Sequence, residues 1–237
     1  MDLPMENKKI LLIDDDAPTR ELLRLALRSA GFTSVPEAEN GETGISQARR
    51  CPPDLILLDL THPGMDGLTV CRQLRSFPET RSIPIFMLSA RGGESDIVLG
   101  LETGASDYIT KPFSRDVLIA RIRARFRLSK PHHPSGVIHF AGLSIDRDER
   151  RVTLAGMNPK LSFSEFEILA LLASHGERVF TRGQIIRRVK GEDYPVTDRS
   201  VDVQIVNLRR KLGAWGPNHI ETVRGVGYRL TRGEIGR

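Results

Sequence analysis

Short apolar runs recur along the first 127 positions, each followed by a stretch in which apolar side chains return every three or four residues. The first run, KILLI at 9–13, ends in three aspartates. Such a run suits a strand buried on both faces of a parallel sheet. PTRELLRLALRSA at 18–30 comes next: Pro18 suits a first helical turn, Leu22, Leu23, Ala26 and Leu27 form an apolar face, and Gly31 can end it. The alternation continues with a weaker strand at 33–38 and a helix at 42–50 that Cys51-Pro52-Pro53 stops. A strand at 54–59 (DLILLD), a helix at 67–75, a strand at 84–88, a helix at 94–103, a short strand at 106–109 and a helix at 114–127 complete it. Asp16 and Asp66 stand where they can cap the helices that follow. Five strand–helix units predict a doubly wound α/β domain with a parallel five-stranded sheet.

Past residue 136 the pattern changes. Short apolar and polar groups alternate over 137–161 with Gly142 and Gly156, which reads as a small antiparallel sheet. Helices are predicted at 162–174, with Ser164 as the cap, at 181–190 and at 197–212. In the last of these Val201, Ile205, Leu208 and Leu212 are expected inward, and Arg199, Gln204, Asn207 and Lys211 outward. Residues 219–230, HIETVRGVGYRL, read as a hairpin turning at Gly225 and Gly227, and Trp215 is expected to pack over the loop before it. The segment 128–136, LSKPHHPSG, breaks any periodicity and reads as a short tether. The predicted domains are therefore 6–127 and 137–232.

Charge separates the two halves. Residues 1–127 carry 17 Lys and Arg against 18 Asp and Glu, whereas residues 128–237 carry 18 against 12. The basic second half points to a nucleic-acid or membrane partner. No stretch approaches the roughly 18 apolar residues of a membrane span, and the N-terminus MDLPMENKK is polar. Two cysteines, Cys51 and Cys71, make neither a disulfide framework nor a four-thiolate zinc site. The expectation is a cytoplasmic protein with no membrane partner.

Doubly wound sheets bind ligands at the carboxyl ends of their strands. Asp14, Asp15 and Asp16 end the first strand, Asp59 the third and Ser89 the fourth, and Lys111 follows the fifth. Clustered carboxylates repel unless a cation or proton offsets them. Oxygen ligands favour a hard divalent ion, for which Mg²⁺ is the natural intracellular choice. A lysine neutralises added negative charge and a serine hydroxyl donates one hydrogen bond to it. Together these groups describe a site for a phosphoryl group on a carboxylate.

The residues that carry this chemistry resemble the receiver domain of bacterial two-component response regulators: Asp14-Asp15, Asp59 in LLDL, Ser89 in MLSA, Lys111 in DYITKPF, PGMDG at 63–67 and GLETGASDY at 100–108. The resemblance implies a flavodoxin-like fold with Asp59 as phosphoacceptor. It also implies Mg²⁺ held by Asp14, Asp15, Asp59 and the Thr61 carbonyl, phosphoryl contacts from Ser89 and Lys111, a switch aromatic at Tyr108, and a cis bond before Pro112. The family more often has a bulky apolar residue at Thr61, so the hydroxyl is expected to alter phosphoryl hydrolysis. Related receivers dimerise through the face of the fourth helix, fifth strand and fifth helix. Asp107 and Arg121 match one charge pair of that face, whereas Ile97, Thr103 and Val117 replace charged partners.

The second half resembles the winged helix-turn-helix domain of the OmpR/PhoB-type regulators in LSFSEFEILALLASHGERVFTRGQI, RSVDVQIVNLRRKL and ETVRGVGYRL. This implies a recognition helix in the major groove and a wing that carries Arg224 to the minor groove. Gln204 and Asn207 could read adenine edges, Val203 would contact the DNA beside them, and Arg182, Arg199, Arg209 and Arg210 are assigned to phosphates or helix-surface pairs. The implied protein is a phosphorylation-controlled transcription regulator, not an enzyme of metabolism. Its partners would be a sensor histidine kinase, double-stranded promoter DNA and a second copy of itself on activation, with RNA polymerase as a further candidate. The residues leave three rivals open: a small-substrate aspartyl phosphatase, a protein-interaction regulator, and a DNA-binding regulator that dispenses with phosphorylation.

Overall fold

The computed structural model describes residues 7–61, 64–127, 136–191 and 198–233, without the side chains of Arg127, Asp198 and Arg199. The expected tether at 128–136 lies outside the described residues except for Gly136. The chain divides into two compact units between Ile122 and Arg123.

In the first unit, β1 (Ile10–Ile13), β3 (Leu55–Asp59) and β4 (Ile85–Ser89) are buried along their whole lengths, as an apolar run covered on both faces requires. With β2 (Glu37–Ala38) and β5 (Asp107–Thr110) they form a parallel sheet in the order β2-β1-β3-β4-β5. Helices α1 (Ala17–Ser29), α2 (Gly41–Arg50), α3 (Gly67–Ser76), α4 (Glu94–Thr103) and α5 (Arg115–Arg127) alternate with the strands. The strand order reverses at β1 and β3, which is where such sheets open a crevice. The strand expected over 33–38 is shorter than its pattern. Ile10 and Leu12 donate to the carbonyls of Ser34 and Pro36, but Pro36 has no N–H to return, so regular pairing begins only at Glu37. Asp16 and Asp66 cap α1 and α3, with Asp16 accepting from the Thr19 N–H at 2.9 Å.

The second unit opens with an antiparallel sheet of β6 (Val137–Phe140), β7 (Leu143–Asp146) and β8 (Arg151–Leu154). Then come α6 (Phe163–Ser174), β9 (Phe180–Thr181), α7 (Arg182–Lys190), α8 (Asp198–Lys211), α9 (Trp215–His219) and a hairpin of β10 (Ile220–Val223) and β11 (Gly227–Leu230). Leu169, Leu172, Ile185, Ile205, Leu208, Ile220 and Leu230 share one core. The cap of α6 is Ser162, not Ser164. The Ser162 N–H donates to Glu165 Oε2 at 2.6 Å and the Glu165 N–H donates back to Ser162 Oγ, a reciprocal box that brings Phe163 into the helix. Two short elements went unforeseen. β9 pairs with β11 and so ties the wing to the start of α7, and α9 places Trp215 so that its indole N–H donates to the Ala141 carbonyl at 2.8 Å.

Candidate functional site

Asp14 and Asp59 leave the ends of β1 and β3 buried, and Asp15 beside them is exposed. Carboxylate oxygens of all three lie within 4.8 Å of one another. Lys111, following β5, places Nζ 3.1 Å from Asp59 Oδ1 and 3.4 Å from Asp14 Oδ2. Burial pushes the Asp14 carboxyl above the usual carboxylate range, against the Asp16 N–H and Lys111, which favour its charge. Three oxygen donors converging around buried negative charge, with one ammonium to offset it, fit a hard divalent cation. Thr61 Oγ1 stands 3.3 Å from each oxygen of Asp59, so its hydroxyl leans on the carboxylate itself. The Lys111–Pro112 bond is cis.

Besides the hydrogen bond between their own side chains, Ser89 and Tyr108 are linked through Arg91, which carries no distinguishing signal in the sequence. The Arg91 N–H donates to Ser89 Oγ at 3.0 Å, and the Tyr108 hydroxyl donates to the Arg91 carbonyl at 2.8 Å. Main-chain groups have no side-chain signature, so only the folded loop shows this link. Gly100 opens the GLETGASDY motif, and the fold shows why it is glycine. A Cβ at that position would stand 2.6 Å from Tyr108 Cδ2. A glycine inside a helix costs about 1 kcal/mol against alanine, and this one makes room for the ring. Asp107 and Arg121 meet within the chain, Nη1 to Oδ2 at 3.0 Å. Nearby Leu99 of α4 and Val117 of α5 are exposed, and Ile97 is half-buried.

On α8, Val201, Ile205, Leu208 and Leu212 point inward as expected. Gln204 and Asn207 do not point outward: they are 3% and 1% exposed, and Val203 is buried with them. Gln204 follows Val201 by three and precedes Leu208 by four, which places it beside the buried stripe. Asn207 lies one turn beyond Val203, and its Oδ1 accepts from Arg210 Nη2 at 2.9 Å. The exposed strip is instead Val206, at 56%, with Arg210. Lys211 is exposed but its Nζ reaches the buried Glu165 at 2.7 Å. Arg209 donates to the Ile220 carbonyl at 3.1 and 2.6 Å and to Thr222 Oγ1 at 2.8 Å, so its guanidinium braces α8 against β10. Arg224 is exposed in the turn between β10 and β11. The side chain of Arg199 lies outside the described residues.

A second brace joins the same pieces. Arg182 Nε and the Tyr228 hydroxyl both donate to Asp202 Oδ1, at 2.7 and 2.6 Å, which ties the start of α7, the middle of α8 and β11. Burial and the Asp202 hydrogen bond push the Tyr228 phenol up from 10 to about 12. The folded state therefore holds this proton more tightly than the unfolded state does. Its contribution is fully present below pH 10 and is lost as pH rises towards 12. Relative to Tyr228→Phe, the wild type should lose on the order of 2 kcal/mol of stability over that interval, read by chemical denaturation at stepped pH.

Known proteins match this arrangement. Residues 10–123 match the family model described as response regulator receiver domain, and residues 156–230 the model described as transcriptional regulatory protein, C terminal. The chain is 42% identical over 227 residues to the phosphate regulon transcriptional regulatory protein PhoB of Pseudomonas aeruginosa, with 96% of this chain and 99% of that protein covered. It is 44% identical to the protein of the same name in Escherichia coli, over 94% of this chain and 98% of that one. With the DNA-binding response regulator MtrA of Mycobacterium leprae it shares 40% identity, over 94% and 97%. Among solved structures, a RitR mutant superposes with a TM-score of 0.78 at 28% identity, covering 96% of this chain and all of that one.

Proposed function

This chain belongs to the OmpR/PhoB-type family of DNA-binding response regulators, and on that premise we propose that Asp59 is the carboxylate through which phosphorylation controls it. The observation that carries this reading is the convergence of Asp14, Asp15 and Asp59 within 4.8 Å, with Lys111 set between the two buried members. A sensor histidine kinase supplies the phosphoryl group. An Asp59 oxygen attacks phosphorus, the bond from phosphorus to the kinase imidazole nitrogen breaks, and that nitrogen leaves with the electron pair. Lys111 faces the charge that arrives. Asp14, Asp15, Asp59 and the Thr61 carbonyl would hold Mg²⁺, which when bound stabilises negative charge on the phosphoryl oxygens.

Ser89 hydrogen-bonds the new oxygens, and its present partners include the Arg91 N–H and the Tyr108 hydroxyl. Moving Ser89 therefore alters the Arg91 segment on which the Tyr108 hydroxyl rests. The face carrying Leu99, Val117, Asp107 and Arg121 then pairs with a second copy, the exposed apolar side chains serving where charged pairs are missing. The Thr61 hydroxyl tunes the lifetime of the phosphoryl group. Thr61→Met should change the autodephosphorylation rate several-fold, measured by loss of the phosphorylated species after donor removal, and an unchanged rate would remove Thr61 from the account.

The second unit binds duplex promoter DNA with α8 in the major groove and Arg224 in the minor groove. Reading of bases by Val203, Gln204 and Asn207 requires a state in which these side chains are uncovered. Arg199 and Arg210 face phosphates, whereas Arg209 is spent on β10. The adjacent Arg209 and Arg210 should thus behave differently. Arg210→Ala should lower the slope of log affinity against log salt by about one unit. Arg209→Ala should leave the slope unchanged and lower the melting temperature of the second unit. We further place the protein in the cytoplasm, with RNA polymerase as the partner through which bound dimers act. Footprinting of the full chain with and without a phosphodonor tests the whole reading: protection should strengthen with donor, and protection indifferent to it would overturn the switch.

A further inference from the structure

Asp14 is held at each of its polar groups. Its N–H donates to the Ala38 carbonyl at 3.2 Å, its Oδ1 accepts from the Asp16 N–H at 2.9 Å, and its Oδ2 faces Lys111 Nζ at 3.4 Å. Its carbonyl accepts from Nη1 of Arg20, in the first turn of α1, at 2.7 Å. Asp15 differs. It is exposed, and among the described residues its carboxylate accepts no hydrogen bond and joins no ion pair. Yet one of its oxygens lies within 4.8 Å of those of Asp14 and Asp59, so its main chain must aim it. The Asp14 carbonyl and the Asp15 N–H belong to one rigid peptide plane. A hydrogen bond on that carbonyl fixes the dihedral angles on either side of the plane, ψ of Asp14 and φ of Asp15. It thereby sets the direction in which the Asp15 side chain leaves the loop.

Arg20 is itself held. Its Nε stands 3.5 Å from Glu37 Oε2, and at 15% exposure the side chain has little room to swing elsewhere. Glu37 is steadied in turn by Arg24, whose Nε lies 3.3 Å from Oε1, and by its place in β2 beside Leu12 of β1. One planar guanidinium thus ties the crevice loop to the edge strand through two nitrogens of fixed separation.

We propose that Arg20 is a positioning residue for the divalent cation and that it acts through Asp15. The proposal rests on the reading of the crevice as a Mg²⁺ site. A carboxylate aimed in advance needs no ordering when the cation arrives, and partners behind the ligands commonly govern affinity in this way. The charge of Arg20 works in the opposite sense. A positive charge beside the crevice repels a cation, so removing that charge alone would tighten binding. Positioning and charge therefore predict opposite signs for the same substitution.

The test follows Mg²⁺ binding to the full chain by amide shifts in NMR titrations, and phosphoryl incorporation from a small-molecule donor by intact mass across Mg²⁺ concentrations. Arg20→Met removes the guanidinium but keeps an unbranched side chain that suits a helix. It should weaken Mg²⁺ binding about tenfold and raise the Mg²⁺ concentration for half-maximal phosphorylation by the same factor. The rate at saturating Mg²⁺ should stay within about twofold of the wild type, a split that a merely damaged fold would not give. In an Asp15→Asn background, Arg20→Met should weaken binding by less than about twofold, because the ligand it aims is gone. Three results overturn the proposal and leave the crevice reading intact: unchanged or tighter Mg²⁺ binding in Arg20→Met, a saturated rate that falls as far as the affinity, or the full loss of affinity retained in the Asp15→Asn background. A wild-type chain that takes up no Mg²⁺ overturns both.

Discussion

In the Asp59→Asn protein, a small-molecule phosphodonor and Mg²⁺ are expected to leave the chain without a phosphoryl group, and the donor-dependent gain in DNA protection should vanish completely. The amide has no anionic oxygen to attack phosphorus, and it weakens the ligand set formed with Asp14 and Asp15. Misfolding does not supply a rival explanation. Asp59 is a buried carboxylate beside another, so its replacement relieves like-charge repulsion while Lys111 keeps Asp14 at 3.4 Å. The two effects oppose each other, and the variant should stay within about 1 kcal/mol of the wild type in a melting experiment. Intact mass reads the phosphoryl group directly. A phosphoryl group that still appears on the variant would move the acceptor to another aspartate.

Gly227→Ala should cost at least about 3 kcal/mol and disable the second unit while sparing the first. Gly227 starts β11 and faces Thr181 of β9. A Cβ there would stand 2.0 Å from the Phe180 carbonyl oxygen and 2.9 Å from Thr181 Cα, both main-chain atoms. Backbone cannot rotate aside as a flexible side chain can, so the strands must part and the wing loses its tie to α7. For a domain of about 100 residues this corresponds to a fall of roughly 10 °C or more in its melting transition. DNA binding should be lost and phosphoryl incorporation at Asp59 kept. Gly225 supplies the contrast: its φ is +72° but nothing stands within 4 Å of a Cβ, so Gly225→Ala meets only the left-handed backbone penalty, about 1 kcal/mol.

The acidic crevice was legible because two simple rules act together. Buried parallel strands announce themselves as unbroken apolar runs, and their carboxyl ends converge, so Asp14, Asp59 and Lys111 meet although they are far apart in the chain. The link from Ser89 to Tyr108 through Arg91 was invisible, since the Arg91 groups involved are common to every residue but proline. On α8 only the outward orientation of Gln204 and Asn207 differs from expectation. Their amides suggest contact with bases, whereas the spacing of Gln204 from Val201 and Leu208 places it near the core. The same spacing would have pointed to Val206 and Arg210 as the outer strip. Ser162 and Ser164 both stand three residues before a glutamate, so only packing could decide between them. β9 and α9 are too short for any periodicity to develop.

The two braces on α8, Arg209 on Ile220 and the Arg182–Asp202–Tyr228 cluster, fasten the helix and the hairpin into one rigid part. A rigid part has a fixed stride. In the proposed binding mode, the distance between the groove that α8 would enter and the groove that Arg224 would probe is then a property of the polypeptide, so DNA must supply the matching spacing or bend to meet it. Operators for this protein should consequently tolerate base changes within a half-site far better than a single inserted base pair between the two contacted segments.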